Sequence, residues 1–256
     1  MSKPIVLCIL DGVGINEKTD PKAVKLANMP FFYELLNKYP SSNLDESGPA
    51  VGLPENTMGN SEVGHITIGA GRIVNQFLRR FQIEDWDKNK PLHDFIKQVT
   101  DTDGIVHLIG MMSDRGVHSE INNTIVIARH VVNAGLKVCV HFISDGRDTI
   151  PQAAERYIEQ WRTQFESEFI SGQMWFGTLT GRYYTMDRNQ NLDRTELEFD
   201  AIARAHATFT APSIDIALEN AYGSGETDEF IKPVIIQQNS IINKDGSLFC
   251  NHRSDR

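Results

Sequence analysis

The sequence predicts an α/β protein built on a largely parallel sheet. Two observations carry this. From about residue 75 onward, short apolar runs alternate with helix-length segments, and the apolar runs end in polar clusters of Ser, Thr, Asp, Gly and Arg. Strands alternating with helices of that length imply right-handed crossovers and hence parallel strands.

The elements follow in order. Residues 4–10 are an apolar run leading into Asp11 and Gly12, which predicts a buried strand. Helical patterns cover 23–29 and 31–39; Pro30 can open the second helix, and Pro40 stops it. Residues 41–71 are rich in Gly, Ser, Asn and Pro, with little periodicity. A loop that long inside a compact protein is usually functional or disordered. Strands are predicted at 104–111, 137–143 and 174–179, and helices at 120–133, 151–169, 195–207 and 214–222. In the 151–169 helix, Ala154, Ile158, Trp161 and Phe165 recur near helical spacing. The end reads as a hairpin with Lys244-Asp245-Gly246 at its turn.

Composition removes several function classes. The formal net charge is −9 with no block of Lys and Arg, so nucleic acid is not an expected partner. No run approaches the roughly 18 apolar residues of a membrane helix, so no membrane association is expected. Cys8, Cys139 and Cys250 are odd in number, far apart and outside any Cys-x-x-Cys pair, which predicts buried, reduced thiols in a cytoplasmic protein. The eight histidines contain no His-Glu-x-x-His or comparable cluster.

The chemistry gathers at strand exits. Asp11-Gly12 follows the first predicted strand, Ser113-Asp114 the second, Ser144 to Asp148 the third, and Thr180-Gly181-Arg182 the fourth. In open α/β sheets, ligands bind beyond the carboxyl ends of the strands. Turn formation and helix capping explain the Asp and Gly but not the recurring Arg. Arg147, Arg182, Arg188, Arg194, Arg253 and Arg256 all lie in short Gly- or Asp-rich segments, where guanidinium forks suit a carboxylate or phosphate ligand. Ser61 sits in Gly59-Asn60-Ser61-Glu62-Val63-Gly64-His65, whose glycines allow a tightly presented hydroxyl with a helix following. A serine needs a base or a metal to react as an alkoxide; the alternative is that Ser61 only caps that helix. Asp11 can reach a cation, but one Asp is not a metal site.

Taken in order, Leu10 to Gly14, residues 58–72, Ser144 to Thr149, Gly181 to Arg188 and Asn251 to Arg256 resemble the signature segments of cofactor-independent phosphoglycerate mutases of the alkaline-phosphatase superfamily. The resemblance implies an alkaline-phosphatase-like segment over 1–75, followed by an inserted α/β transferase domain with a largely parallel sheet over 76–256, truncated at its C-terminal end. It implies interconversion of 3-phosphoglycerate and 2-phosphoglycerate through a phosphoserine, with two Mn2+ (or similar divalent) ions and no 2,3-bisphosphoglycerate. Ser61 matches the nucleophile, and Asp11 and Ser61 match metal ligands. His118, Arg147, Asp148, Arg182, Arg188, Arg253 and Arg256 match substrate-binding residues, and Asp148 also matches a carboxylate that moves protons between glycerate hydroxyls. Arg182 and Arg188 are expected to bind oxyanions rather than stabilise the fold.

Departures from the family pattern are Arg115 and Glu120 around His118, and His252 where a Phe is usual. The chain stops at Arg256 inside a signature segment, so a fragment is expected, with a shortened natural variant as the alternative. Its partner would be a C-terminal phosphatase half carrying the remaining metal ligands; the full-length protein would be a monomer, and this chain alone inactive. A phosphate or sulfate ester hydrolase of the same superfamily is the alternative enzyme. A non-catalytic phosphoglycerate-binding fragment is the alternative for the chain by itself.

Overall fold

The structure is a computed structural model and describes residues 4–11, 13, 27–238 and 240–253. Gly12, Gly14, Arg256 and most of the predicted 23–29 helix lie outside the described residues. The chain divides into two compact units, Met1–Arg79 and Arg80–Arg256.

In the first unit, helix α1 (Pro30–Lys38) opens on Pro30, as the sequence indicates. Helix α2 (Ser61–Ala70) ends on Gly71 in the left-handed conformation, inside the stretch read as a long loop. Its N-cap is Asn60, whose side chain accepts from Val63 N at 3.2 Å. Ser61 is therefore the first helical residue rather than the cap. Val51, Leu53 and Val63 form a small core. Residues 4–10 are not a strand: Ile5, Val6 and Leu7 are largely exposed, and so is Cys8. A strand persists only where its N–H and C=O groups find partners, and among the described residues every strand lies beyond residue 105.

Helix α3 (Phe77–Ile83) spans the division of the chain. The second unit holds a six-stranded sheet. Strands β1 (Val106–Met111), β2 (Val138–Ser144) and β3 (Met174–Gly181) are adjacent and parallel. They are almost wholly buried, as expected of parallel strands covered on both faces. Short strands β4 (Phe209–Thr210) and β5 (Val234–Ile235) extend the β3 edge, with β5 antiparallel to β3. Strand β6 (Gly246–Phe249) closes the other edge. The predicted terminal hairpin is absent, because β6 pairs parallel with β1. Asp245 organises the turn before it, accepting Ile242 N and Ile105 N, each at 3.0 Å.

Helices α4 (Lys90–Asp101), α5 (Ile121–Asn133), α6 (Ala154–Gln164) and α10 (Ile214–Gly223) contribute to one core with Leu108, Val140 and Phe142. Residues alternating with these on the strands (Ile109, Met111 and Ile143) join Met186 and Ile202 in a second, smaller core. Ile202 belongs to α9 (Leu192–Ala203). The predicted 151–169 helix is two helices, α6 and α7 (Glu166–Ser171), broken at Phe165. The break leaves Phe165 fully buried, its ring stacked on Trp161 with centroids 5.1 Å apart. No helix among the described residues is long and apolar enough to cross a membrane.

Candidate active site

The carboxyl ends of β1, β2 and β3 bring their polar exits together. Asp145, just beyond β2, is 1% exposed. It accepts from Ser113 Oγ at 2.7 Å, from Arg182 Nη1 at 2.7 Å, and from the backbone N–H groups of Arg147 and Asp148 at 3.2 and 3.0 Å. Burial alone would push its carboxyl up, but these donors and the Arg182 charge hold it below the usual carboxylate range. Arg182, first residue of the short helix α8 (Arg182–Thr185), gives the same nitrogen to Asp148 Oδ2 at 2.6 Å. His118 Nε2 lies 3.6 Å from that Asp148 oxygen.

Two glycines make the gathering possible. Gly146 has φ +65°, and a Cβ on it would stand 2.5 Å from Glu229 N. A Cβ on Gly181 would stand 2.4 Å from Glu229 O. Both strand exits thus need glycine for the 228–229 backbone to cross close behind them. Asp228 holds that crossing: its Oδ2 accepts from Ala153 N and Ala154 N at 2.7 and 2.9 Å, and its Oδ1 from Tyr222 OH at 2.5 Å.

Other predicted site residues are placed as follows. Arg147 is exposed, with Nη1 3.4 Å from Glu229 Oε1. Arg188 and Arg253 are exposed. Asn251 Oδ1 accepts from Met111 N, and His252 N donates to His118 O, each at 2.9 Å, so the last described residues run against the β1 exit. In the first unit, Ser61 Oγ donates to Asp11 Oδ2 at 2.8 Å across 50 residues of sequence. Arg182 departs from expectation in one respect. It is a buried ion-pair partner of two carboxylates and so has a structural role. The departures around His118 are also accounted for. Glu120 caps α5 through Asn123 N, and Arg115 Nε donates to Asp148 O at 3.1 Å.

Sequence reading passed over Ser113 and Asp145 as site residues, although both stand in the polar exits it singled out. It also found no histidine cluster, yet His107, Cys139 and His141 face one another inside the sheet. The signal available was polar residues at alternate positions in otherwise apolar strands.

Comparison with known proteins gives one answer. The family described as BPG-independent PGAM N-terminus matches residues 79–256. A 2,3-bisphosphoglycerate-independent phosphoglycerate mutase of Hydrogenovibrio crunogenus is 41% identical over 264 residues, covering 100% of this chain and 50% of the relative. One from Staphylococcus aureus is 43% identical over 264 residues, covering 99% and 51%. A crystal structure of Leishmania mexicana phosphoglycerate mutase at low cobalt concentration superposes with a TM-score of 0.70 at 28% identity, covering 94% of this chain and 47% of that one. The chain thus spans about half the length of the relatives it matches.

Proposed function

The chain belongs to the family of BPG-independent phosphoglycerate mutases, and on that premise we propose that it supplies the phosphoryl-accepting serine and the substrate-binding cluster of an enzyme interconverting 3-phosphoglycerate and 2-phosphoglycerate. The observation that carries this reading is the Ser61–Asp11 hydrogen bond, which aims an exposed hydroxyl from a helix start at a carboxylate distant in sequence. The hydroxyl's setting at the first turn of α2 favours an incoming phosphoryl group, because free N–H groups there complement anions.

The chemistry runs in two transfers. In the first, Ser61 Oγ gives up its proton and forms a bond to phosphorus as the bond to the 3-oxygen of phosphoglycerate breaks, and the glycerate oxygen takes up a proton. In the second, the 2-hydroxyl gives up its proton and attacks that phosphorus, the Ser61 Oγ–phosphorus bond breaks, and Ser61 Oγ takes a proton back. Because Ser61 itself carries the phosphoryl group between the two, no 2,3-bisphosphoglycerate takes part. Asp148 is the proposed carrier of protons between the glycerate hydroxyls, held in place by Arg182 and close to His118. Arg147, Arg188, Arg253 and Arg256 are the proposed oxyanion binders, joined by His118 and the remaining Arg182 donors.

Asp11 and Ser61 offer two accessible oxygens that suit a hard divalent cation as part of a larger ligand set. Manganese or a similar ion there would lower the cost of the Ser61 alkoxide. The further ligands belong to the C-terminal half of the relatives' length, which is the proposed partner of this chain; the assembled protein is a cytoplasmic monomer in this reading. Exposed Ile5, Val6 and Leu7 support such a partner, since contiguous exposed apolar surface marks an interaction site.

The test is a coupled mutase assay with manganese on this chain alone and joined to the C-terminal half of the Staphylococcus aureus relative. Interconversion is expected only from the joined protein and should vanish on chelation. Turnover by the isolated chain at a comparable rate would overturn the assignment.

A further inference from the structure

We propose that His107, Cys139 and His141 form a binding site for a thiophilic divalent cation of the zinc type, inside the sheet and apart from the carboxyl-end cluster. This inference does not depend on the mutase reading. His107 and Cys139 are register partners on β1 and β2, and His141 follows Cys139 by one pleat, so all three project from the same face. All three are buried, and their ligand atoms lie within 4.8 Å of one another. A thiol and two imidazoles form a soft N/S donor set, the kind zinc takes.

The spacing suits an ion. Cys139 Sγ is 3.7 Å from His141 Nε2, and His107 Nδ1 is 2.9 Å from His141 Nε2. Tetrahedral zinc with bonds of about 2.3 Å to sulfur and about 2.0–2.1 Å to nitrogen puts S and N about 3.6 Å apart and two nitrogens about 3.3 Å apart. The Cys139–His141 edge already has that length, and the third edge lies within 4.8 Å. The His107 and His141 rings, facing each other nearly in plane with centroids 5.2 Å apart, need to part by about 0.4 Å and swing so that both nitrogens converge on one point.

The surrounding groups orient the ligands. Asp245 Oδ2 lies 3.6 Å from His107 Nε2 and can only accept, so it favours the proton on Nε2 and turns the Nδ1 lone pair inward. His141 Nδ1 is 3.0 Å from Thr178 Oγ1, a hydroxyl that can donate or accept. His141 can therefore move its proton to the Thr178 side and present Nε2 to an ion. Burial, reinforced by the neighbouring His107, lowers the His141 pKa to about 3, which keeps the ring neutral and its lone pair available. Gly177 accommodates the Cys139 and His141 side chains: a Cβ there would stand 2.4 Å from Cys139 Sγ and 3.1 Å from His141 Cε1. Charge also balances. A 2+ ion with one thiolate and two neutral imidazoles carries +1, and the Asp245 carboxylate, 3% exposed, offsets it.

On binding, the metal–sulfur bond replaces the S–H bond, and one proton leaves to solvent. Because the bound sulfur must be a thiolate, protons compete with the ion and affinity should rise with pH.

The experiment is titration of the full 256-residue chain with Co2+, followed by absorbance. We expect one equivalent to give a thiolate-to-cobalt band in the near ultraviolet together with tetrahedral visible bands, both displaced by Zn2+. Cys139→Ser should remove the near-ultraviolet band, whereas Cys8→Ser and Cys250→Ser should keep it. Asp245→Asn should weaken binding about 10- to 100-fold. X-ray absorption of the zinc-loaded wild-type chain should show one sulfur and two nitrogen ligands, a readout that needs no variant to fold. Cobalt bound without a thiolate band, a band that survives Cys139→Ser, a zinc shell of oxygen only, or no binding would each overturn the proposal. Ions held by Asp11 and Ser61 would show oxygen ligation alone and so be told apart.

Discussion

Replacing Arg182 with Met should destabilise the second unit by about 3–5 kcal/mol, the usual cost of leaving a buried charge without its partner. One guanidinium nitrogen serves both Asp145, whose side chain is fully buried, and Asp148, at 2.7 and 2.6 Å. Met nearly fills the volume but leaves two carboxylates facing each other, with only Ser113 and backbone N–H groups remaining on Asp145. For a domain of this size, that loss lowers Tm by roughly 6–20 °C. Urea denaturation followed by tryptophan fluorescence measures it. The double variant Arg182→Met/Asp145→Asn should recover part of the loss, because it removes the more deeply buried of the stranded charges. Acid gives a second readout. Asp145 is held below the usual carboxylate range, so its stabilisation is present above the unfolded pKa near 4 and is lost as pH falls through the folded value. Wild type should therefore lose stability more steeply below about pH 4 than Arg182→Met does. A loss under about 1 kcal/mol, or a double variant that merely adds the two single losses, would exclude Arg182 as the charge partner that Asp145 needs.

Ser61→Ala in the joined protein should abolish mutase turnover with little change in Tm, since an exposed hydroxyl is lost; activity above about one per cent of wild type would exclude covalent catalysis at Ser61. Glu198→Gln should stabilise the chain at neutral pH. Burial pushes the Glu198 carboxyl up to about 8, only partly opposed by Thr180, so its favourable protonated state is fully effective below about pH 4 and is lost as pH rises toward 8. The gain at pH 7 should be on the order of 3 kcal/mol and should vanish near pH 4; a flat difference between the two proteins from pH 4 to 8 would contradict it. Gly181→Ala should cost about 1–3 kcal/mol, because its methyl would collide with the 228–229 backbone; an unchanged denaturation midpoint would contradict this.

The parallel sheet was legible because β1, β2 and β3 are apolar runs whose exits carry Asp, Ser and Arg, a pattern local enough to survive without knowing the pairing. Helix α2 was legible only at its start, from the Ser61 setting, because its glycines gave the rest the texture of a loop; the cap that starts it is Asn60, one residue before Ser61. The terminal hairpin failed for a different reason. A Lys-Asp-Gly turn fixes a reversal of the chain but not which strand lies beside it, and β6 reaches β1 across about 140 residues. Residues 4–10 have strand composition, but composition supplies no neighbour to pair with. At the site, Arg182, Asp148 and His118 were named from motifs, whereas the shared role of Asp145 and Ser113 came only from three adjacent exits meeting. The His107–Cys139–His141 cluster was only hinted at by polar residues at alternate positions of two apolar strands, because the register that brings them together is revealed by no local pattern.

The most direct test of the central proposal is an acid quench of the joined, manganese-loaded protein during turnover of 3-phosphoglycerate, followed by peptide mass spectrometry. Phosphate is expected on Ser61, formed and consumed at the rate of turnover, and absent from the Ser61→Ala variant. Turnover with no phosphate on Ser61 at any time point, or phosphate on another residue at full occupancy, would contradict it.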